Sequence, residues 1–163
     1  MKNKVKVLIA KIQTLPIFGL IIKLVKGNFI TKDKLKFTIE AEGINYQTIS
    51  TLYFAFYESP EIRFVKKHLR TDLPIIELGT SLGVISTYCR VINKNKLVCV
   101  EANPILIPAI NKNFQSNEIE NYSVINAAIG YSNKMFFETG PNNVLGKLSA
   151  AFNNGQLKWI CYP

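Results

Sequence analysis

Alternating apolar runs and helical patterns in the middle of the chain predict a parallel α/β sheet. Short apolar runs at residues 74–78, 97–101 and 122–128 have the length and composition of strands. Segments with helical spacing lie between them, from residue 83 to about 91 and from 103 to 114. This alternation favours an α/β fold with a Rossmann-like, doubly wound parallel sheet.

The flanking regions carry shorter patterns. Residues 35–40 alternate as a strand does, and residues 43–45 form a turn. Ser59 is the predicted N-cap of a helix, with Pro60 in its first turn. The positions that we expect to form the buried face of that helix are Ile62, Phe64, Val65 and Leu69. Beyond residue 130, residues 134–138 are a further predicted strand and residues 139–143 a loop.

The N-terminal segment, residues 5–25, is apolar but interrupted. Lys11 and Lys23 divide it, and we expect Pro16 and Gly19 to break any single helix. Its uncharged stretch is far shorter than the roughly 20 residues that a membrane-spanning helix needs. Two interpretations stay open: two short helices that cap the domain, which we favour, or a basic amphipathic segment that rests on a membrane surface.

Composition and charge narrow the class of protein. The chain has 163 residues, 48% of them apolar, which indicates one globular domain. The net charge of +9 suits nucleic acid or an anionic membrane, but the lysines are scattered and no nucleic-acid-binding motif occurs, so we expect no nucleic-acid partner.

The cysteines and the single histidine offer no metal site. Cys89, Cys99 and Cys161 share no CxxC spacing, which argues against both zinc and a disulfide framework. We therefore expect a reducing, cytoplasmic location, with peripheral contact to a membrane if the amphipathic interpretation holds. Cys99 is expected to pack as a small apolar residue, and His68 to lie on the surface of a helix.

The strand at residues 74–78 ends in an acid and a turn punctuated by glycines. Glu77 precedes Gly79-Thr80-Ser81-Leu82-Gly83, and a second acid, Glu101, ends the next strand. This is the layout of a nucleotide-binding βαβ unit, with Glu101 placed to receive ribose hydroxyls. Ser81 stands where a dinucleotide fingerprint needs its middle glycine, and no Gly-Lys-Ser/Thr follows to make a Walker A loop. The pattern suits S-adenosylmethionine, which lacks a pyrophosphate and carries an ammonium group for a nearby carboxylate.

Downstream segments make the pattern more specific. The segment Val100-Glu101-Ala102-Asn103-Pro104, residues 111–113 and residues 124–130 resemble the FkbM family of class I S-adenosylmethionine-dependent methyltransferases. Tyr57-Glu58 is similar to the lead-in of that family, and the resemblance covers roughly residues 35–150. The chain departs from it at Thr80-Ser81, where the family usually has Ala-Asn, and at Ala102, which replaces a proline.

The resemblance implies a cofactor, S-adenosylmethionine, and a role for each residue that matches the motifs. Gly79 and Gly83 would let the backbone pass close to the methionine portion, and Glu77 would face its ammonium group. Glu101 would accept both ribose hydroxyls, and Asn126 or Ala127 would border the adenine. The cofactor-binding residues expected on this basis are Glu77, Gly79, Thr80, Ser81, Gly83, Glu101, Ala102, Asn126 and Ala127.

The family also implies the reaction, O-methylation of a hydroxyl on a small molecule or sugar. We identify no catalytic residue, because no convincing general base for the acceptor occurs in the sequence. A non-catalytic remnant or interaction module, and a fragment of a nicotinamide-dependent oxidoreductase, stay open as alternatives. The oligomeric state is also open.

The match to the family is incomplete after Ser149. The family's later strands, with a Leu-Asp-Asp-like segment and an Ile-Asp-x-Glu-Gly motif, have no counterpart there. We therefore divide the chain into an N-terminal helical segment, 1–34, and a partial, truncated methyltransferase domain, 35–163. The strand at 74–78 would then lie at an exposed sheet edge. A truncated gene product, a fragment, half of a split protein, or coverage of that edge by the N-terminal segment are the alternatives.

Overall fold

A computed structural model of the chain describes residues 2–129, 135–139, 146–149 and 157–159. The helices in these ranges are α1 (Lys2–Gln13), α2 (Pro16–Lys26), α3 (Tyr46–Tyr53), α4 (Ser59–His68), α5 (Val84–Ile92) and α6 (Ile107–Ser116), the last preceded by a 3-10 turn, Pro104–Leu106. The strands are β1 (Phe29–Lys32), β2 (Leu35–Thr38), β3 (Ile75–Leu78), β4 (Leu97–Glu101), β5 (Tyr122–Asn126), β6 (Met135–Thr139), β7 (Gly146–Ser149) and β8 (Leu157–Trp159).

The predicted Rossmann-like α/β class is confirmed. Strands β3, β4 and β5 form a parallel sheet in that order, and α5 and α6 are the helices that connect them. The strand predicted at residues 97–101 is β4 in full. Strand β3 begins one residue later than the predicted strand at residues 74–78. Strand β5 ends two residues earlier than the predicted strand at residues 122–128.

The core of this sheet lies on one face. Leu97 and Cys99 are completely buried there against Ile110 and Phe114 of α6. The Ser86 hydroxyl of α5 lies 3.1 Å from the Cys99 sulfur, so α5 covers the same face. Cys99 therefore packs as the sequence predicted.

The opposite face and the outer edge of β3 are open in the described part of the chain. Ile76, Leu78 and Ile125 point to that face and are 68%, 60% and 43% exposed. Among the described strands, β3 pairs with β4. Strands β1 and β2 pair antiparallel with each other, so the described N-terminal strands do not cover this edge.

The N-terminal segment forms the expected pair of short helices. Pro16 is the first residue of α2, where its missing N–H costs nothing. The expectation that Gly19 also breaks the helix is wrong, because Gly19 lies inside α2 at its closest approach to α3. A Cβ at Gly19 would lie 1.7 Å from the Tyr46 carbonyl oxygen. No helix in the described ranges has the length and apolarity needed to cross a membrane.

Two N-terminal elements were not predicted, β1 and α3. Strand β1 pairs with β2 from Phe29↔Thr38 to Lys32↔Leu35. The proposed division between residues 34 and 35 falls in the turn of this hairpin, and it stays a prediction. Helix α3 is capped by Asn45, whose side chain accepts a hydrogen bond from the Thr48 N–H at 2.8 Å.

Helix α4 differs from its prediction in two ways. It begins at Ser59, so the N-cap is Glu58 rather than Ser59, and Glu58 adopts a left-handed conformation with φ +47°. Phe64, expected to be buried, is 66% exposed because only one side of the helix meets the domain. Its ring lies 4.8 Å from the ring of His68, which is on the surface as predicted.

Asn113 of α6 and Asn117, which directly follows this helix, hold the β1–β2 hairpin. Asn113 is fully buried, accepts from the Thr38 N–H at 2.6 Å and donates to the Leu82 carbonyl at 2.8 Å. Asn117 accepts from the Lys36 N–H and donates to its carbonyl, at 2.8 and 2.7 Å. The edge of β2 is thus satisfied by amide side chains instead of another strand.

Strands β6, β7 and β8 form a separate antiparallel sheet in the order β7-β6-β8. Strand β6 confirms the predicted strand at residues 134–138 with a shift of one residue, and β7 was not predicted. The predicted loop at residues 139–143 lies outside the described residues except for Thr139, which ends β6. Cys161 also lies outside them.

Candidate functional site

The turn from β3 to α5 carries three left-handed residues. Gly79, Ser81 and Gly83 have φ values of +79°, +52° and +71°. The Gly79 and Thr80 N–H groups both donate to the Val100 carbonyl, at 2.8 and 3.1 Å, so the turn closes over the end of β4. These bonds fix the turn at the carboxyl edge of the sheet, where ligands bind in open α/β sheets.

The two glycines of the turn serve different purposes. A Cβ at Gly83 would lie 3.0 Å from the ring of Phe114, so this glycine permits close packing of the turn on α6. A Cβ at Gly79 would meet nothing within 4 Å. Gly79 therefore leaves open space on the outer side of the turn.

Glu101 joins the turn to the loop after β4. Its Oε2 accepts from the Ser81 N–H and its Oε1 from the Asn103 N–H, both at 2.7 Å. Burial raises the pKa of Glu101, and these backbone N–H groups oppose that rise. The residue is only 6% exposed. A carboxylate has about four acceptor directions, so Glu101 can act both as a clamp and as a ligand group.

Two more carboxylates lie beneath the turn. Burial raises the pKa of Glu77 to about 7, and the charge of Glu101 adds to this effect, while the Ser86 hydroxyl donates to Glu77 Oε2 and opposes it. Burial raises the pKa of Glu58 to about 8, and the charges of Glu77 and Glu61 raise it further. The protein thus holds two acids whose pKa values lie near neutrality, a condition that is common at functional sites.

Glu58 is the site residue that the sequence did not single out. It accepts from the backbone N–H of Ile85, at the start of α5, and its Oε2 is buried with no hydrogen-bond partner in the described structure. An orphaned carboxylate oxygen is costly and calls for a donor or a cation. The preceding residue, Tyr57, places its hydroxyl 2.8 Å from the Ser81 hydroxyl, which brings this segment onto the turn.

The other predicted residues gather around Glu101. The Asn126 side chain donates to the Glu101 carbonyl at 2.7 Å, and the Ala127 N–H donates to the same carbonyl at 3.1 Å. Ala102 is half-buried beside them. Thr80 is 1% exposed, and its hydroxyl lies 3.4 Å from the Val100 carbonyl, so its side chain faces inward. All nine predicted residues therefore lie along the carboxyl edge of β3, β4 and β5.

The described residues contain no group of three or more histidine, cysteine or acidic side chains arranged to hold a metal. Cys89 and Cys99 are buried, and burial raises the pKa of their thiols to about 12 and about 11. Both thiols therefore stay protonated near neutral pH and are poor nucleophiles.

No model of a known protein family matches the chain, and no curated protein does. Its fold is similar to that of a candidate transferase of Pyrococcus horikoshii, with a TM-score of 0.48 and 17% identity over 61% of this chain and 36% of that one. It is also similar to precorrin-6y C5,15-methyltransferase of Geobacter metallireducens, with a TM-score of 0.41 and 14% identity over 60% of this chain and 46% of that one. The chain thus spans less than half of either protein. The resemblance to the FkbM family stays a prediction.

Proposed function

We propose that this chain is the cofactor-binding part of an S-adenosylmethionine-dependent methyltransferase. The observation that carries the proposal is the contact of the left-handed turn with the acid that ends β4, Ser81 N–H to Glu101 Oε2 at 2.7 Å. The turn and the acid meet at the carboxyl edge of parallel strands, where nucleotide ligands bind.

The residues of the turn fit this cofactor. Its amino-acid portion carries an ammonium group, and the buried carboxylates of Glu58 and Glu77 lie beneath the turn, one with an orphaned oxygen. The open space beside Gly79 admits a ligand to the backbone. A dinucleotide fits less well, because Ser81 stands where the dinucleotide fingerprint needs a glycine that lets the pyrophosphate approach the backbone.

The other roles follow the family resemblance. Glu101 would hold the ribose hydroxyls, and Asn126 or Ala127 would border the adenine. When bound, the cofactor supplies an electrophilic methyl group for a substrate hydroxyl, on a small molecule or sugar. The residues of this chain bind and orient the cofactor, and orientation is a large part of catalysis in such transfers. We assign no general base.

The experiment is calorimetric titration of the folded chain with S-adenosylmethionine and with its demethylated product. We expect both to bind, and Glu101→Gln to weaken binding at least about tenfold, because hydrogen bonds to a charged acceptor contribute about 1.5–3 kcal/mol each. Glu120→Gln is the matched control, since Glu120 is exposed and precedes β5 at the opposite edge of the sheet.

Three outcomes would contradict the proposal. Folded wild-type protein that binds neither ligand would refute cofactor binding. Preferential binding of a nicotinamide dinucleotide would support the oxidoreductase alternative instead. A chain without a cooperative thermal transition by circular dichroism would support a remnant. Circular dichroism of Glu101→Gln is also needed, because Glu101 clamps Ser81 and Asn103.

A further inference from the structure

The first 32 residues concentrate the positive charge of the chain. They hold seven lysines and no acidic residue, and the first acid is Asp33. The lysines are Lys2, Lys4, Lys6, Lys11, Lys23, Lys26 and Lys32. A formal charge of +7 thus lies in one fifth of a chain whose net charge is +9.

The same region concentrates exposed apolar surface. Eight of the 18 large apolar side chains that are exposed in the described structure lie between residues 7 and 25. They are Val7, Ile9, Ile12, Leu15, Ile17, Ile21, Leu24 and Val25. Exposed apolar side chains that cluster on one part of a protein are typical of interaction sites.

Helix α2 presents a continuous apolar stripe that faces away from the domain. Ile17, Ile21 and Leu24 are spaced four and three residues apart and are 54%, 49% and 78% exposed. The other side of α2 packs on α3 through Gly19 and Ile22, both buried. Because Gly19 lies against the Tyr46 backbone, α2 cannot roll to bury the stripe without losing this contact.

The α1–α2 connection is fixed to the domain as well. The Ser50 hydroxyl of α3 donates to the Gln13 carbonyl at 3.0 Å, at the end of α1. Lys11, Lys23 and Lys26 are exposed, and so are the three residues of the stripe. Exposed lysines and exposed apolar side chains therefore accompany each other on this part of the chain, and α2 is fixed by its packing on α3.

We propose that the α1–α2 surface, residues 2–26, docks on an anionic lipid bilayer. Helices that lie in the membrane interface bury an apolar stripe among the acyl chains and place lysines at anionic headgroups. A second copy of the chain is disfavoured, because two such segments, each with a formal charge of +6 from its six lysines, would repel each other. Nucleic acid would pair with the lysines and leave the aliphatic stripe in water. The inference is independent of the proposed cofactor.

The test is sedimentation of the full chain with phosphatidylcholine vesicles that contain about one third phosphatidylserine, the kind of anionic surface that attracts lysines. We expect binding that weakens with added salt and is absent with pure phosphatidylcholine. Lys11→Gln/Lys23→Gln should weaken binding about 20-fold or more, at roughly fivefold per lysine. Leu24→Asp should weaken it at least about tenfold, through loss of apolar burial.

Matched variants place the same changes elsewhere on the chain. Lys67→Gln/Lys94→Gln removes the same charge from two exposed positions. Phe64→Asp alters another exposed apolar residue, 66% exposed on α4 against 78% for Leu24. Both should bind as wild type. Equal losses in these controls, or no binding to anionic vesicles, would overturn the proposal. So would binding of duplex DNA that Leu24→Asp leaves unchanged, or self-association that Leu24→Asp abolishes in the absence of vesicle binding.

Discussion

The buried carboxylate of Glu58 should make the stability of the fold depend on pH. Its pKa rises from an ordinary 4.5 to about 8, first because of burial and then because of the charges of Glu77 and Glu61. The folded protein therefore holds a proton that the unfolded chain releases above pH 4.5. The contribution of Glu58 to the free energy of unfolding is therefore greatest below pH 4.5, and it falls as the pH rises to about 8.

The size of the effect follows from the difference in pKa. Each pH unit between the two pKa values costs at most about 1.4 kcal/mol, so the loss across the window is at most on the order of 5 kcal/mol. Glu77, whose pKa rises to about 7, changes the stability in the same direction. Glu58→Gln keeps the shape of the side chain and removes its ionisation. The variant should match wild type near pH 5 and exceed it by several kcal/mol near pH 8.5.

The assay is urea unfolding followed by circular dichroism at intervals from pH 5 to pH 8.5. Glu61→Gln is the matched control, since it removes the same charge three residues away on the exposed side of α4. That control should change the free energy of unfolding by less than about 1 kcal/mol at any pH. Parallel pH profiles for wild type and Glu58→Gln would refute the reasoning. An equal gain in Glu61→Gln would show that net charge, not burial, is responsible.

Two further variants test the packing that holds the site. Asn113→Leu should lower the free energy of unfolding by about 2–5 kcal/mol, because it leaves the buried Thr38 N–H and Leu82 carbonyl without partners. Asn117→Leu should lower it less, because the bonds of Asn117 to Lys36 are exposed, and equal losses in the two variants would contradict this assignment. Gly19→Ala should lower the free energy of unfolding by about 1–3 kcal/mol or more, because the new Cβ would clash with the Tyr46 carbonyl. In the same urea titration Ile21→Ala, on the exposed side of α2, should be nearly neutral, and a neutral Gly19→Ala would contradict the described contact.

The parallel sheet was predictable because local pattern and burial agree there. Strand β4 is a continuous apolar run closed by an acid, and the helices on either side repeat their apolar residues at helical spacing. Strand β1 has four residues between Gly27 and Asp33, too few for alternation to be read from the sequence. Its partner strand β2 is bonded to Asn113 and Asn117, more than 70 residues away, and no local pattern indicates such contacts.

The candidate site was predictable in its motif and not in its electrostatics. Gly79, Ser81, Gly83 and Glu101 are recognisable because a turn of this kind needs particular residues at a particular spacing. Glu58 precedes a helix start, where an acid is ordinarily a solvated N-cap. Its burial comes from the packing of α4 on α5, which is a tertiary effect. Sequence reasoning therefore matched Tyr57-Glu58 to the lead-in of the family but did not predict the burial and the raised pKa of Glu58.

The segment that precedes the parallel sheet, from β2 to the start of α4, contacts the glycine turn of the candidate site. Asn113 links β2 to the carbonyl of Leu82, and Tyr57 links the start of α4 to Ser81, so both ends of this segment are tied to the glycine turn. Strand β1 is paired along its length with β2. A boundary at residue 34 follows the change in composition, yet it would separate the two paired strands. A boundary after Lys26 would leave β1 and β2 paired, but it would remove the buried Ile22 of α2 from the core that it shares with Ile30 and Phe37 of these strands. Helix α2 therefore belongs to the same packed unit as the hairpin, while its outer side carries the apolar stripe.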